Sequence, residues 1–473
     1  MSRVDAPPPP PAPVADASPA RRPGPRAAGA VTAGPIRSTL FYLALPVLAE
    51  SILNTLVGIF DTWLAGRISA VATAAVGLAA YVAWLATMLA MMVGTGTTAV
   101  VARYVGSGRF GRANWYANQS IALSVIVGAA VLAGLYCAAP WLAAYSNMTG
   151  QAYDIAVHYL RTEAFGNMFM AVTIAGCAAL RGAGNMRAPM MLYALMNAIN
   201  ITASCFFVFS LEVGVRGIVY GTVIARVCGA VALVWILVRG HAGLFLRWRE
   251  MRLVWDYVRR ILRIGVPAAA DGVIMWANHF AFLAIVTRVL PGILGQASFA
   301  AHIIAVRVEA LTYLPATAWG AAAATMIGQA LGAGDGKRAM RVGHEAVLQC
   351  GVLAFTMAIL FYLNADGIYE VMSIDPVVRA AGAEPFRLLA LLQPLLAVGI
   401  VYIWGMRGAG DTRFPMLISL MGVPIRLSLG YYFGIVQGWG LLGAWMGMFG
   451  DMVWRPIAAT GRYLGGKWAG TKV

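Results

Sequence analysis

From Thr39 onward, apolar stretches of membrane-crossing length alternate with short runs rich in Gly, Arg, Asn and Asp. About 20 apolar residues cross a bilayer core as a helix. The recurrence predicts twelve such helices, at 39–65, 72–103, 116–144, 153–179, 188–211 and 215–239, then 263–289, 295–331, 339–364, 377–406, 413–437 and 440–464. Ahead of them, residues 1–36 are rich in Pro, Ala and Arg, with an unbroken proline run at 7–11 and no apolar core. That composition reads as a disordered tail, not a signal peptide. Residues 240–262, between the sixth and seventh helices, are basic and amphipathic and are expected to lie along the membrane surface as a linker.

A decapeptide written twice organises the rest. Residues 181–190 read RGAGNMRAPM and residues 407–416 read RGAGDTRFPM. The same offset of 226 carries Gly106 and Gly108 onto Gly332 and Gly334, Arg161 onto Arg387, and Gly217 and Gly221 onto Gly443 and Gly447. One fixed offset over separated segments means two homologous halves. Six helices separate equivalent positions, so both halves cross the membrane in the same sense, related by an axis along its normal. The expected architecture is all-α and membrane-embedded. It comprises a tail (1–36), a first six-helix bundle (37–239), the linker (240–262) and a second bundle with a short C-terminal tail (263–473).

Composition narrows the class. The chain is 60% hydrophobic and 11% charged, against about 25% charged in soluble domains. Its net charge of +16 would suggest nucleic acid, but most of the Arg and Lys fall in the tail and in alternate loops. Among them are Arg103, Arg109, Arg112, Arg181, Arg187, Lys337, Arg338, Arg407 and Arg455. By the positive-inside rule this is an orientation signal that puts both termini in the cytoplasm, and nucleic-acid binding drops out. The five cysteines lie in apolar stretches without metal-like spacing, so no disulfide framework or metal site is expected. The turns GSGR and GAGDGKR follow no strand and are not phosphate loops. No HExxH, GxSxG, CxxC or paired-carboxylate constellation supports an enzyme.

Ionisable groups at membrane depth are costly, and each needs a reason. Asp61 stands in the first helix, fifteen residues after Pro46, or roughly 22 Å along it, in the outer half. Pro46 predicts a bend. A neutral Asp61 tolerates tight apolar packing and an ionised one demands water, a cation or a donor, which makes it a switch. The plainer alternative is an outer helix cap near Arg67. Glu50 and Asp271 each follow a helix proline by four residues, Pro46 and Pro267. They either line a cation path or join the halves near the cytoplasmic mouth. In the fifth helix Asn197, Asn200 and Ser204 share one face, and Glu309 is a further membrane acid whose partner must lie elsewhere.

On the repeated RGAG-xx-R-x-PM, GQALGAGD, AAHIIAVRVEALTYLP and a first helix with Pro46 and Asp61, the chain resembles the multidrug and toxic compound extrusion (MATE) family over about 37–465. The resemblance implies two six-helix bundles around a V-shaped cleft in a bacterial inner membrane, acting as a monomer without a cofactor. It implies export of amphipathic, often cationic, drug-like compounds in exchange for protons or sodium. In the DNA-damage-inducible branch a first-helix Asp takes the proton, matched by Asp61. Asn200, Tyr159 and Thr222 match the rest of that network, with Ser204 where relatives often carry a second acid or Asn. Second-half acids of the sodium-linked branch are replaced by Met275 and Leu396, with Asp271 one turn from the first. Protons are therefore expected over sodium, and a lipid-linked-precursor flippase of the same superfamily is the remaining alternative.

Overall fold

The computed structural model describes residues 34–146 and 148–471. Most of the Pro/Ala-rich tail, with Lys472 and Val473, lies outside the described residues. Among the described residues thirteen α-helices account for most of the chain. The first half contains α1 (Ile36–Ile68), α2 (Ala70–Gly106), α3 (Phe110–Tyr145), α4 (Gln151–Gly182), α5 (Arg187–Cys205) and α6 (Val215–Val238). The second contains α7 (Trp255–Val286), α8 (Gly292–Gly332), α9 (Gly336–Leu363), a short α10 (Ala365–Met372), α11 (Pro376–Gly408), α12 (Arg413–Tyr431) and α13 (Gly440–Leu464). Among the described residues eleven helices are long and apolar enough to cross a membrane. The twelfth, α13, is long enough but carries Asp451 and Arg455 in its middle.

Two six-helix bundles repeat one another in detail. Both α5 and α12 close in a single π-helical turn, Phe206–Ser210 and Tyr432–Val436, at matched positions. The duplicated decapeptides make the same turn: Gly184 has φ +89° and Gly410 φ +91°. Glycine reaches that left-handed region without steric cost, which explains its fixed place in RGAG. The residue that follows then caps the next helix, Asn185 Oδ1 accepting from the Ala188 amide at 3.0 Å.

The first helix of each half is shared between bundles. Near its start α1 packs Leu40, Ala44 and Val47 into the core built from α8, α9, α11 and α13. Near its end Leu64 and Ala65 join the first-half core with Tyr159 and Ile218. Helix α7 mirrors this, burying Val258, Ile261 and Ile264 in the first-half core and Phe282 and Val286 in the second. Pro46 and Pro267 sit where each helix changes over, inside continuous helix.

The two halves meet closely at the end that carries the basic loops. A Cβ on Gly106 would collide with the Gln329 main chain, and one on Gly332 with the Arg103 main chain. These contacts are exchanged by the 226-residue offset, so the ends of α2 and α8 cross on the pseudo-twofold axis. Gln329 Nε2 donates to the Gly182 carbonyl at 2.9 Å and Thr325 Oγ1 to the Arg181 carbonyl at 3.1 Å, which ties the crossing to the first decapeptide. At ~1.5 Å per residue, α2 and α8 both outrun a ~30 Å apolar core, leaving length for this crossing.

The segment between the halves departs from the amphipathic linker expected over 240–262. Helix α7 already begins at Trp255. Residues before it hold one 3-10 turn, Trp248–Met251, and are pinned to α3. Asn114, Asn118 and Gln119 accept from the amides of Phe245, Arg247 and Val254 at 2.6, 2.9 and 2.8 Å. Buried Glu250 accepts from both Asn114 and Asn118. Polar side chains buried in α3 thus satisfy a non-helical backbone that would otherwise lie unpaired against the bundle.

Candidate functional site

Three helices bring polar stripes into the first bundle at spacings of three or four residues. On α4 the stripe is Tyr159, Glu163 and Asn167, on α6 Thr222 and Arg226, and on α5 Asn197, Asn200 and Ser204. Such spacing puts each set on one helix face. Gly166 lets the Arg226 stem approach α4 closely. Arg226 then donates to Asn167 Oδ1 at 2.8 Å and pairs with Glu163 at 3.2 Å, both partners buried. One turn away Asn200 Nδ2 donates to Thr222 Oγ1 at 3.0 Å. Thr222 and Ser204 both donate to the Ile218 carbonyl, at 3.1 and 3.4 Å.

Asp61 joins this cluster from α1. Glu163 and Arg226 are the charged groups that act on it electrostatically, and Asp61, Glu163 and Arg226 all act on buried Tyr159. Arg67 instead lies over the Trp63 ring at 5.8 Å, so Asp61 is not spent on capping the helix end near it. One Asp61 oxygen, Oδ1, is buried without a hydrogen-bond partner, and so are Asn200 Oδ1 and Asn167 Nδ2. A buried polar atom without a partner carries a desolvation cost, and two of these three are acceptors awaiting a donor. Asn197, by contrast, is occupied in joining helices, its Nδ2 donating to Asn54 Oδ1 of α1 at 3.1 Å.

The structure thus gathers Asp61, Tyr159, Asn200, Ser204 and Thr222 in one bundle. It adds the Glu163–Arg226–Asn167 group, which the reading of the sequence did not place. The spacing 159, 163, 167 against 222, 226 carried that signal.

Glu50 and Asp271 are elsewhere. Glu50 pairs with Arg181 and Asp271 with Arg407. Each acid therefore binds the arginine that opens its own half's decapeptide. Arg181 and Arg407 stand in the last turns of α4 and α11, where a cation also complements the helix dipole. These symmetric acids brace each half internally; they do not bond across the halves. Each pair leaves bare atoms, Glu50 Oε2 and Arg181 Nε in one half, Asp271 Oδ1 and Arg407 Nε in the other.

Arg455, counted from sequence among the cytoplasmic charges, lies inside the second bundle. It is 8% exposed, bonded to Asp451 at 2.6 Å and to Ser419 Oγ at 3.2 Å. The opposite charge one turn away on α13 explains why a membrane helix can bury it. Glu309 is buried on α8 within electrostatic reach of Arg426, beside Thr312, which donates to Gln393 at 2.6 Å. The offset maps Asn200 onto Arg426 and Asn167 onto Gln393. The matched positions therefore differ in charge: where the first half has an amide the second has a guanidinium, which stacks 4.3 Å from the Phe282 ring.

Comparison with known proteins matches this architecture. The MatE family model covers residues 46–206 and again 273–432, one copy in each half. A probable multidrug resistance protein NorM of Thermotoga maritima is 28% identical over 448 residues, covering 92% of this chain and 93% of the relative. A multidrug resistance protein MdtK of Pectobacterium atrosepticum is 28% identical over 429 residues, with 86% and 90% covered. Among solved structures, the outward-facing conformation of a multidrug resistance MATE family transporter of the MOP superfamily superposes with TM-score 0.85. It is 21% identical and covers 93% of this chain and 97% of its own.

Proposed function

The chain belongs to the MatE family of membrane transporters, and on that premise we propose that it is a multidrug efflux antiporter. It would export amphipathic, often cationic compounds in exchange for protons, with Asp61 as the coupling carboxylate. The relatives' names support efflux of drugs as the class of activity. The observation that carries the coupling role is the bare, buried Oδ1 of Asp61 beside a cluster whose other acid, Glu163, is already engaged by Arg226. A proton satisfies that oxygen by turning it into a donor, and Asn200 Oδ1 is an acceptor in the same cluster. A metal cation would have to share the site with the Arg226 guanidinium, which supports protons over sodium.

The basic end is the cytoplasmic one in this reading, by the positive-inside rule, so the crossing of α2 and α8 closes the cytoplasmic side. Protonation of Asp61 would let the first bundle pack tightly, expel substrate outward and prepare the return. One charge moving through 100 mV supplies about 2.3 kcal/mol for this cycle. In everted vesicles from a bacterial inner membrane, Asp61→Asn is expected to abolish gradient-driven dye efflux at unchanged protein level. Transport that survives in this variant under an imposed proton gradient would remove Asp61 from coupling.

A second reading rests on the second bundle, where Arg426 Nε and Arg455 Nη2 are buried donors without partners. Those donors suit an anionic group, as a flippase of lipid-linked precursors would require. Competition of such a lipid with dye export in proteoliposomes separates the two readings.

A further inference from the structure

At the basic end a cavity of about 590 Å³ opens between the halves, lined by Arg103, Arg260, Arg263, Ile264 and residues 469–471. Arg103 comes from the last turn of α2, and the other two arginines from the first turns of α7. The far wall is C-terminal chain, held in place by Trp468. That residue is fully buried, stacked on Tyr463 at 4.6 Å and donating to the Tyr463 carbonyl at 2.7 Å. Arg103 Nη2 reaches across the halves to the carbonyls of Ala409 and Thr471, both at 3.1 Å, while its Nε is buried without a partner. Arg260 donates to the Tyr104 hydroxyl at 3.2 Å. None of the ion pairs among the described residues involves these three arginines. Among the described residues no carboxylate lines the cavity.

We propose that this cavity is an anion site for a phosphate group, and that its occupant holds the basic end closed. Three guanidiniums with no counter-charge among the described residues repel one another, and an anion between them removes that cost. The planar guanidinium fork suits phosphate oxygens in particular. Ile264 and Ala469 supply apolar surface beside the charges, and the basic end is where anionic headgroups gather under the orientation argued above. The three arginines stand on α2 and on the start of α7, which packs in the first-half core, while the far wall is the C-terminal chain of the second half, so the cavity is walled on both sides only while the halves are together. A ligand that binds one state alone shifts the equilibrium towards it. The site lies outside the Asp61 pocket and holds whichever ion drives transport.

The test uses the full-length protein in neutral detergent, with native mass spectrometry reading retained phosphatidylglycerol against phosphatidylcholine. Wild type should retain phosphatidylglycerol preferentially. The Arg260→Gln/Arg263→Gln variant should lose that retention by on the order of tenfold or more, the scale of lost charged hydrogen bonds. Arg109→Gln/Arg112→Gln, which removes equal charge at an exposed turn of the same end, should not. Displacement of the lipid by millimolar inorganic phosphate would identify the phosphate group itself as the ligand; resistance to it would identify the whole lipid. Equal loss in both double variants, or equal retention of the two lipids, overturns the site. Its hold on the gate is read with a cysteine placed at Ala102, buried at the seam, in a background without the native cysteines. Phosphatidylglycerol should slow labelling of that cysteine by a water-soluble maleimide. An unchanged labelling rate overturns the gating claim even where binding stands.

Discussion

Glu163 and Arg226 show how one membrane-buried pair shapes its neighbours. Paired with each other and with Asn167, they leave Asp61, within this cluster, with a buried and uncommitted oxygen. Removing one member strands the other in apolar surroundings, which costs about 3–5 kcal/mol, whereas removing both at constant shape costs far less. Arg226→Ala is therefore expected to lower the thermal unfolding midpoint in detergent sharply, and Glu163→Gln/Arg226→Gln to recover most of the loss. A double variant no more stable than the single one would mean that the pair is not a closed unit. Individual residues of this site were legible in the sequence because a charge inside a greasy helix is conspicuous. The pairing was not legible, because it depends on how α4 and α6 rotate against each other. Arg455 was misplaced for the same reason: its position within α13 does not say which way the side chain turns until Asp451 is seen beside it.

Helices α1 and α7 each serve two cores, and a proline marks the changeover in both. A change of partner along one rod is invisible to hydrophobic periodicity, since both cores ask for the same apolar face. The helices themselves were readable, because membrane length and apolar content leave little else for such segments to become. The chain between α6 and α7 misled for the opposite reason. Its basic residues suggested a linker lying along the membrane surface, but side-chain amides of α3 take over its backbone. Asn118 both donates to the Phe245 carbonyl and accepts from the Arg247 amide, each at 2.9 Å. Asn118→Ala should therefore cost about 1–3 kcal/mol by stripping those partners. Limited proteolysis would show it as faster cleavage within 239–254 while the helical bundles stay resistant. Unchanged cleavage would mean that the remaining Asn114 and Gln119 bonds suffice.

Across the whole molecule, the two bundles form a fused pseudo-dimer whose seam is tightest at the basic end. A transporter that alternates must break this seam once per cycle, so the seam can be neither too weak nor too strong. Glycines make it close without making it sticky: they admit backbone to backbone and add no side chain to bury. Gly332→Val is expected to hold the α2–α8 crossing apart at a cost of about 1–3 kcal/mol to the closed state. Faster maleimide labelling of a cysteine at Ala102 would record the opening, and slower dye export its consequence. Labelling at the wild-type rate would show that the helices accommodate the methyl groups without parting. The repeat itself was fully legible from the 226-residue offset, whereas the closed seam was not, because a sequence is common to every state of a cycle.

The symmetry of that crossing has a genetic corollary. Gly106 rests on the counterpart of the very residue that Gly332 rests on, so one wedge at either place already forces the same gap. Substituting both glycines should then hurt hardly more than substituting one, a saturating epistasis instead of a sum of two independent lesions. Each would act, in effect, as the other's allele.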